Sequence, residues 1–206
     1  MSELLAPTLM VQEVPKEVLP NPDEISYYVL EKERKLYLDF DVCEDMMSVH
    51  RMILRWNMED KGKPVSERKP IWLYIQSPGG ELTYMWMLID AIEQSQTPVY
   101  TVNIGLCASA ATLIYLAGHK RFMMPYAKVL IHEGHASMAG DANKIMNASE
   151  SYKKELKAMK DYILSHTAIP KQLLMKRRTD DWEIDAKFCL ENKVCDVIVN
   201  SLDEVI

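Results

Sequence analysis

Four places in the sequence combine residue types that do chemistry. Gly79-Gly80 follows the apolar run Ile71-Trp72-Leu73-Tyr74-Ile75 and precedes a helical pattern. Glycines at such a junction allow positive φ and close backbone approach, and amides near a helix start can hold a developing anion. A plain tight turn would use the same two residues. Ser109 comes four residues after Gly105, where a second extended run gives way to small apolar residues with helical character. Its hydroxyl would lie near the helix start, either as a nucleophile or as an ordinary N-cap; the GxSxG signature of a nucleophile elbow is missing. His132 closes a third apolar run, from where an imidazole can reach the end of a neighbouring strand. Asp180-Asp181 supplies an acid able to hold a histidine tautomer and stabilise its imidazolium, and no local rule selects one over the other.

Other chemistries fit less well. His132-Glu133-Gly134-His135 places its histidines at i and i+3, whereas a zinc helix of the HExxH kind needs i and i+4. Neither GxxxxGK[ST] nor GxGxxG occurs, so no metal, nucleotide or other cofactor is expected in this chain. At 206 residues, 48% apolar and 26% charged, the chain has the length and composition of one globular domain. A net charge of −6 argues against a nucleic-acid footprint or attachment to anionic lipid. No apolar run reaches the roughly 18 residues of a membrane span, and Met1 to Glu13 lacks the basic start and apolar block of a signal peptide. Cys43, Cys107, Cys189 and Cys195 form no CxxC pair and read as free thiols of a reducing, cytoplasmic compartment.

The elements that must position these residues follow from the pattern. Pro7, Pro15, Pro20 and Pro22 predict an extended N-terminal arm over residues 1–25, with a single domain over 26–206. Ile25 to Phe40 reads as strand-like, Asp41 to Met58 as an amphipathic helix, and Glu59 to Pro70 as a surface loop. Strands are expected at Ile71 to Ile75, Val99 to Ile104 (broken by Gly105) and Lys128 to Ile131. Helices are expected at Glu81 to Glu93 and Ala108 to Ala117, and a long one at about 141–165. Asp180 to Leu190 reads as helix and Val194 to Val199 as a last strand. Strand and helix alternating in units of about 25–30 residues predict an α/β fold of βαβ units around a mainly parallel sheet.

In register, these blocks resemble the ClpP family, the proteolytic subunits of the Clp protease, from about Tyr28 to Val199. Ile71 to Gly80 looks like the family's strand and SPGG turn, and Gly105-Leu106-Cys107-Ala108-Ser109-Ala110 like its GxAAS nucleophile block. Leu116-Ala117-Gly118, Lys120-Arg121-Phe122 and Pro125 match the segment that follows. Val129-Leu130-Ile131-His132 looks like the family's MIH, and His166-Thr167 like the HTG that ends its long helix. Asp181, with Ala186 and Asp196 beyond it, aligns with the family's acid.

The resemblance implies a ClpP/crotonase-type fold of stacked βαβ units with a long protruding helix. It implies a serine endopeptidase with Ser109 as nucleophile, His132 as base, Asp181 as orienting acid, and an oxyanion hole from the backbone amides of Gly80 and Ala110. It also implies a homo-oligomer: a heptameric ring, and a tetradecamer where two rings stack through the long helix. The implied partner is an AAA+ unfoldase of the ClpX or ClpA/ClpC type, which would consume the ATP and feed unfolded polypeptide. Some positions depart from the family pattern. The turn after Gly118 is two residues shorter, and Glu133-Gly134 stands where Gln-Pro is usual. The substrate-binding strand expected at His135 to Gly140 keeps fewer glycines. Asp180 and Trp182 replace arginines around the acid, and the 59–70 loop is longer. These departures support one alternative, a catalytically silent ring subunit with an assembly or docking role. A crotonase-type acyl-CoA enzyme would share the fold without needing Ser109.

Overall fold

The computed structural model describes residues 22–177 and 179–206, so the expected arm falls, up to residue 21, outside the described residues. Its elements run α1 (Pro22–Lys32), β1 (Lys35–Leu38), α2 (Met46–Glu59), β2 (Ile71–Ser77), α3 (Leu82–Glu93), β3 (Val99–Ala108), α4 (Ala110–Leu116), β4 (Lys120–Met123) and β5 (Lys128–Ile131). Then follow α5 (Ala142–His166), α6 (Lys171–Arg177), β6 (Trp182–Asp185), α7 (Ala186–Glu191) and β7 (Val197–Ile198). This is the expected α/β architecture with a mostly parallel sheet. The order is β1-β2-β3-β4-β7, all parallel, and β5 pairs in parallel with β3 and antiparallel with β6.

Alternation along the strands assigns their side chains to two faces. On β2, Leu73 and Ile75 join Leu36, Leu38, Val49, Ile53, Met85 and Ile89 in the main core under α2, α3 and α4. Trp72 and Tyr74 point to the opposite face, where Tyr37 stacks on Tyr74 at 4.9 Å and Trp72 meets Tyr100 and Phe122 at 5.1 and 5.2 Å. The C-terminal segment covers part of that face, with Val199 and Val205 buried against it and the Tyr74 hydroxyl donating to the Val205 carbonyl.

Several expected elements differ. Residues 22–32 are helix, not strand: Pro22 stands where its missing N–H costs nothing, and Ile25, Tyr28 and Val29 lie exposed on the surface. The helix expected from Asp41 begins only at Met46, because Val42 makes a parallel bridge to Gly80. Gly105 does not end its strand. The Gln76 side chain fills the space a Cβ would need there, accepts from Leu106 N at 2.7 Å, and keeps β3 running to Ala108. Residues 182–185 form a strand where helix was expected, since Trp182 and Ile184 are buried in alternation and pair with Ile131 and Val129. No strand forms over His135 to Gly140, which is irregular, and β4 and α6 have no counterpart in the sequence reading.

Candidate active site

β3 is the organising strand. Its first half pairs with β4 (Tyr100 to Asn103) and its second half with β5 (Leu106 to Ala108). That change of neighbour brings the ends of β3 and β5 together beyond the rest of the sheet. Asn103 helps to fix the fork, donating from its amide to Lys128 O at 2.8 Å and accepting from Gly105 N at 3.1 Å.

Ser109 occupies the corner between β3 and α4 with φ 54 and ψ −122, a conformation L-residues seldom adopt. Its surroundings hold it there. Ser109 N donates to Leu130 O at 2.9 Å, and Ser109 O accepts from Thr112 N at 3.0 Å. The Thr112 hydroxyl stands 2.9 Å from both the Cys107 and Leu130 carbonyl oxygens, joining the two strand ends beneath the serine. The Ser109 side chain makes no cap bond to its helix, which weighs against the N-cap alternative.

The glycine turn lies against this corner. A Cβ on Gly79 (φ +94) would stand 2.6 Å from Ala108 O and 2.9 Å from Ala110 N, so only glycine fits. Val42 clasps the turn from its other side, donating to Gly79 O at 2.8 Å and accepting from Glu81 N at 2.7 Å. That bridge uses groups of Gly79 and Glu81, so the amide of Gly80 is not spent on it. Ala110 is the first residue of α4, where an amide has no partner within the helix.

His132 follows directly on β5. Its Nδ1 lies 3.0 Å from Asp181 Oδ1, and Asp181 immediately precedes β6, the antiparallel partner of β5. The pairing of Ile131 with Trp182 therefore places His132 and Asp181 side by side. Asp180, the other acid the sequence offered, pairs instead with Arg177 at 3.2 Å. Asp181 is 76% exposed and His132 21%. Nδ1–H donating to the carboxylate would leave Nε2 as the free base.

Ser109 and His132 line one pocket with Leu113, Leu156, Met159 and Ile163. Its free volume, about 20 Å³, is that of a single water. Ser109 Oγ makes no hydrogen bond to His132 among the described residues. Glu133, the acid beside His132, is turned to Lys160 at 3.3 Å, and its carbonyl accepts from the Tyr152 hydroxyl at 2.8 Å. Sequence reasoning missed Thr112, Gln76, Tyr152 and Lys160. The first two look like ordinary strand and helix residues, and the last two are far from the site along the chain.

The sequence matches the family model described as Clp protease over residues 24–201. It is 33% identical over 129 residues to the ATP-dependent Clp protease proteolytic subunit 2 of Treponema pallidum (strain Nichols), covering 62% of this chain and 65% of that protein. It is 37% identical over 130 residues to the like-named protein of Treponema denticola, covering 62% and 64%. In both cases the match spans just under two thirds of the relative. The proteolytic subunit 2 of Rhodococcus jostii (strain RHA1) is 28% identical over 184 residues, covering 87% of this chain and 91% of that protein.

Proposed function

This chain belongs to the Clp protease family, and we propose that it is a serine endopeptidase subunit whose triad is Ser109, His132 and Asp181. The observation that carries the reading is the shared corner: a serine in strained backbone conformation lines one pocket with a histidine whose other ring nitrogen faces a carboxylate at 3.0 Å. In the proposed reaction His132 Nε2 takes the Ser109 proton as Oγ attacks the scissile carbonyl. The amides of Gly80 and Ala110 hold the oxyanion. His132 then protonates the leaving amine, and water activated by the same imidazole releases the acyl group. No cofactor of this chain takes part.

The reading extends to assembly and supply. Only Met159 and Ile163 of α5 are buried, while Ile145 and Met146 in its first half are 40% and 63% exposed. A 25-residue helix with so little support from its own chain suits packing against other copies. We place the chain in a heptameric ring and a stacked tetradecamer in the cytoplasm, with an AAA+ unfoldase consuming the ATP and delivering unfolded polypeptide. Among the described residues no helix is long and apolar enough to cross a membrane.

The test is a fluorophosphonate reacted with the purified chain and located by intact and peptide mass spectrometry. One adduct per chain at Ser109, lost in Ser109→Ala and His132→Ala, is the expected result. A folded, assembled chain that takes no adduct, alone or with a partner ring and unfoldase added, would instead be a silent ring subunit.

A further inference from the structure

The base stands just past the end of a short strand and is followed by residues 133–139 without regular structure. Its only side-chain hydrogen bond among the described residues goes to a carboxylate that is itself 76% exposed. Something else must set the direction in which the chain leaves β5. Glu133 is held at two points by α5: its carbonyl by the Tyr152 hydroxyl at 2.8 Å, and its carboxylate by Lys160 Nζ at 3.3 Å. The Glu133 carbonyl lies in the Glu133–Gly134 peptide plane, so holding it together with the side chain fixes the backbone that leaves His132 one residue on.

The two holding residues are eight positions apart, two helical turns, and so share a face of α5 with Leu156, Met159 and Ile163, which line the pocket beside Ser109. Gly134 follows with φ +75, a conformation that favours glycine, while a Cβ there would make only an ordinary contact, 3.6 Å from the Tyr152 hydroxyl oxygen. The helix is itself tied to α3, with Trp86 Nε1 donating to Glu155 at 2.8 Å and the Tyr162 hydroxyl to Glu93 at 2.6 Å.

We infer that Tyr152 and Lys160 are positioning residues for His132, acting through Glu133, so that the placement of α5 sets the placement of the base. The inference rests on the reading of Ser109 and His132 as nucleophile and base. The ion pair is roughly 30% exposed on each side, which makes it a weak stabiliser of the fold and leaves geometry as its main effect.

The experiment measures the rate of fluorophosphonate labelling at Ser109, together with kcat and KM for a small peptide substrate. The chains compared are the wild type, Tyr152→Phe, Lys160→Met, Lys160→Glu, Glu133→Lys and the exchanged pair Glu133→Lys/Lys160→Glu. Lys157→Met, which removes an exposed charge from another face of α5, is the control. Each single clasp variant should label roughly three- to tenfold more slowly, with the loss in kcat and little change in KM. The exchanged pair should recover most of the rate, and the control should match the wild type. If Lys160→Met loses helix content, Tyr152→Phe decides, because it deletes one oxygen and keeps the ring. Wild-type rates in Tyr152→Phe and Lys160→Met, or an exchanged pair as slow as the product of its two singles, would overturn the inference while leaving the peptidase reading intact. A wild-type chain that takes no adduct under any condition removes the peptidase reading, and the inference falls with it.

Discussion

At the scale of single residues, the exposure of Asp181 decides what its loss should do. A buried acid beside an imidazole contributes both charge and orientation; one 76% exposed contributes mostly orientation and tautomer, because solvent screens its charge. Alanine at 181 leaves a gap that water can fill, and water can accept from Nδ1–H. Asparagine fills the place with an amide that can donate, favouring the tautomer whose Nε2 carries the proton. The expected order is therefore wild type, then Asp181→Ala slower by about tenfold, then Asp181→Asn slower by about a hundredfold. Steady-state peptide cleavage at neutral pH checks it, and Asp181→Asn matching Asp181→Ala would show that tautomer control is not the acid's work. The sequence offered Asp180 and Asp181 as equals. What separates them is the pairing of Ile131 with Trp182, a contact between positions far apart in the chain, and only the match to a family pattern anticipated it.

At the scale of elements, two glycines with similar φ make a controlled comparison. Gly62 in the 59–70 loop has φ +89 and nothing within 4 Å of an added Cβ, while Gly79 has φ +94 and would drive a Cβ into Ala108 O and Ala110 N. Both alanine variants carry the strain of a left-handed conformation, about 1–3 kcal/mol. Gly79→Ala must also displace the backbone that carries the proposed nucleophile and the proposed oxyanion amides. Gly62→Ala should lower stability by about 1 kcal/mol in denaturant melts and label at Ser109 at the wild-type rate; Gly79→Ala should abolish labelling even where circular dichroism shows retained fold. Equal labelling in both would separate the glycine turn from the chemistry. The same distinction between local and distant causes explains which elements could be read in advance. α3 and α5 carry their own helical period of apolar residues, and β2 and β5 are apolar runs bounded by turn residues, so they were legible. Residues 22–32 looked extended because their apolar side chains are on a surface rather than in a core, and no helical stripe betrays them. Residues 182–185 looked helical because four residues are too few to establish alternation. The fork of β3, which makes the site, depends on Gln76 reaching across to Leu106 and leaves no mark on either local pattern.

At the scale of the whole molecule, the fold keeps its electrostatic lock away from its chemistry. Asp60 is 1% exposed and meets Arg34 through two hydrogen bonds of 2.5 and 3.0 Å, Lys63 at 2.8 Å and the Thr97 hydroxyl at 3.1 Å. These contacts tie the entry to β1, the end of α2 and the approach to β3, the end of the sheet opposite Ser109. The Arg34 guanidinium, outweighing burial, holds the Asp60 carboxyl well below its ordinary value of 3.8. A carboxylate lowered in this way stabilises the fold above its unfolded value, and that contribution is lost as pH falls towards the folded one. His119 acts in an earlier window. Burial lowers it from 6.5, and its Nδ1 accepts from Val99 N at 2.9 Å, which a proton there would prevent. Its contribution is present above about pH 6.5 and fades as pH falls below that. Denaturant melts between pH 7.5 and 3 should therefore show two slopes. Asp60→Asn should lie about 3 kcal/mol below the wild type at pH 7, run parallel to it down to about pH 5, and converge with it below about pH 4. His119→Gln should flatten only the upper part of the curve. The per-molecule labelling rate at Ser109 should be unchanged in Asp60→Asn wherever the chain is folded. A loss of labelling that tracks the loss of stability would mean that the lock and the site are one cooperative device, and a curve for Asp60→Asn parallel to the wild type down to pH 3 would mean that Asp60 is not what acid unfolds.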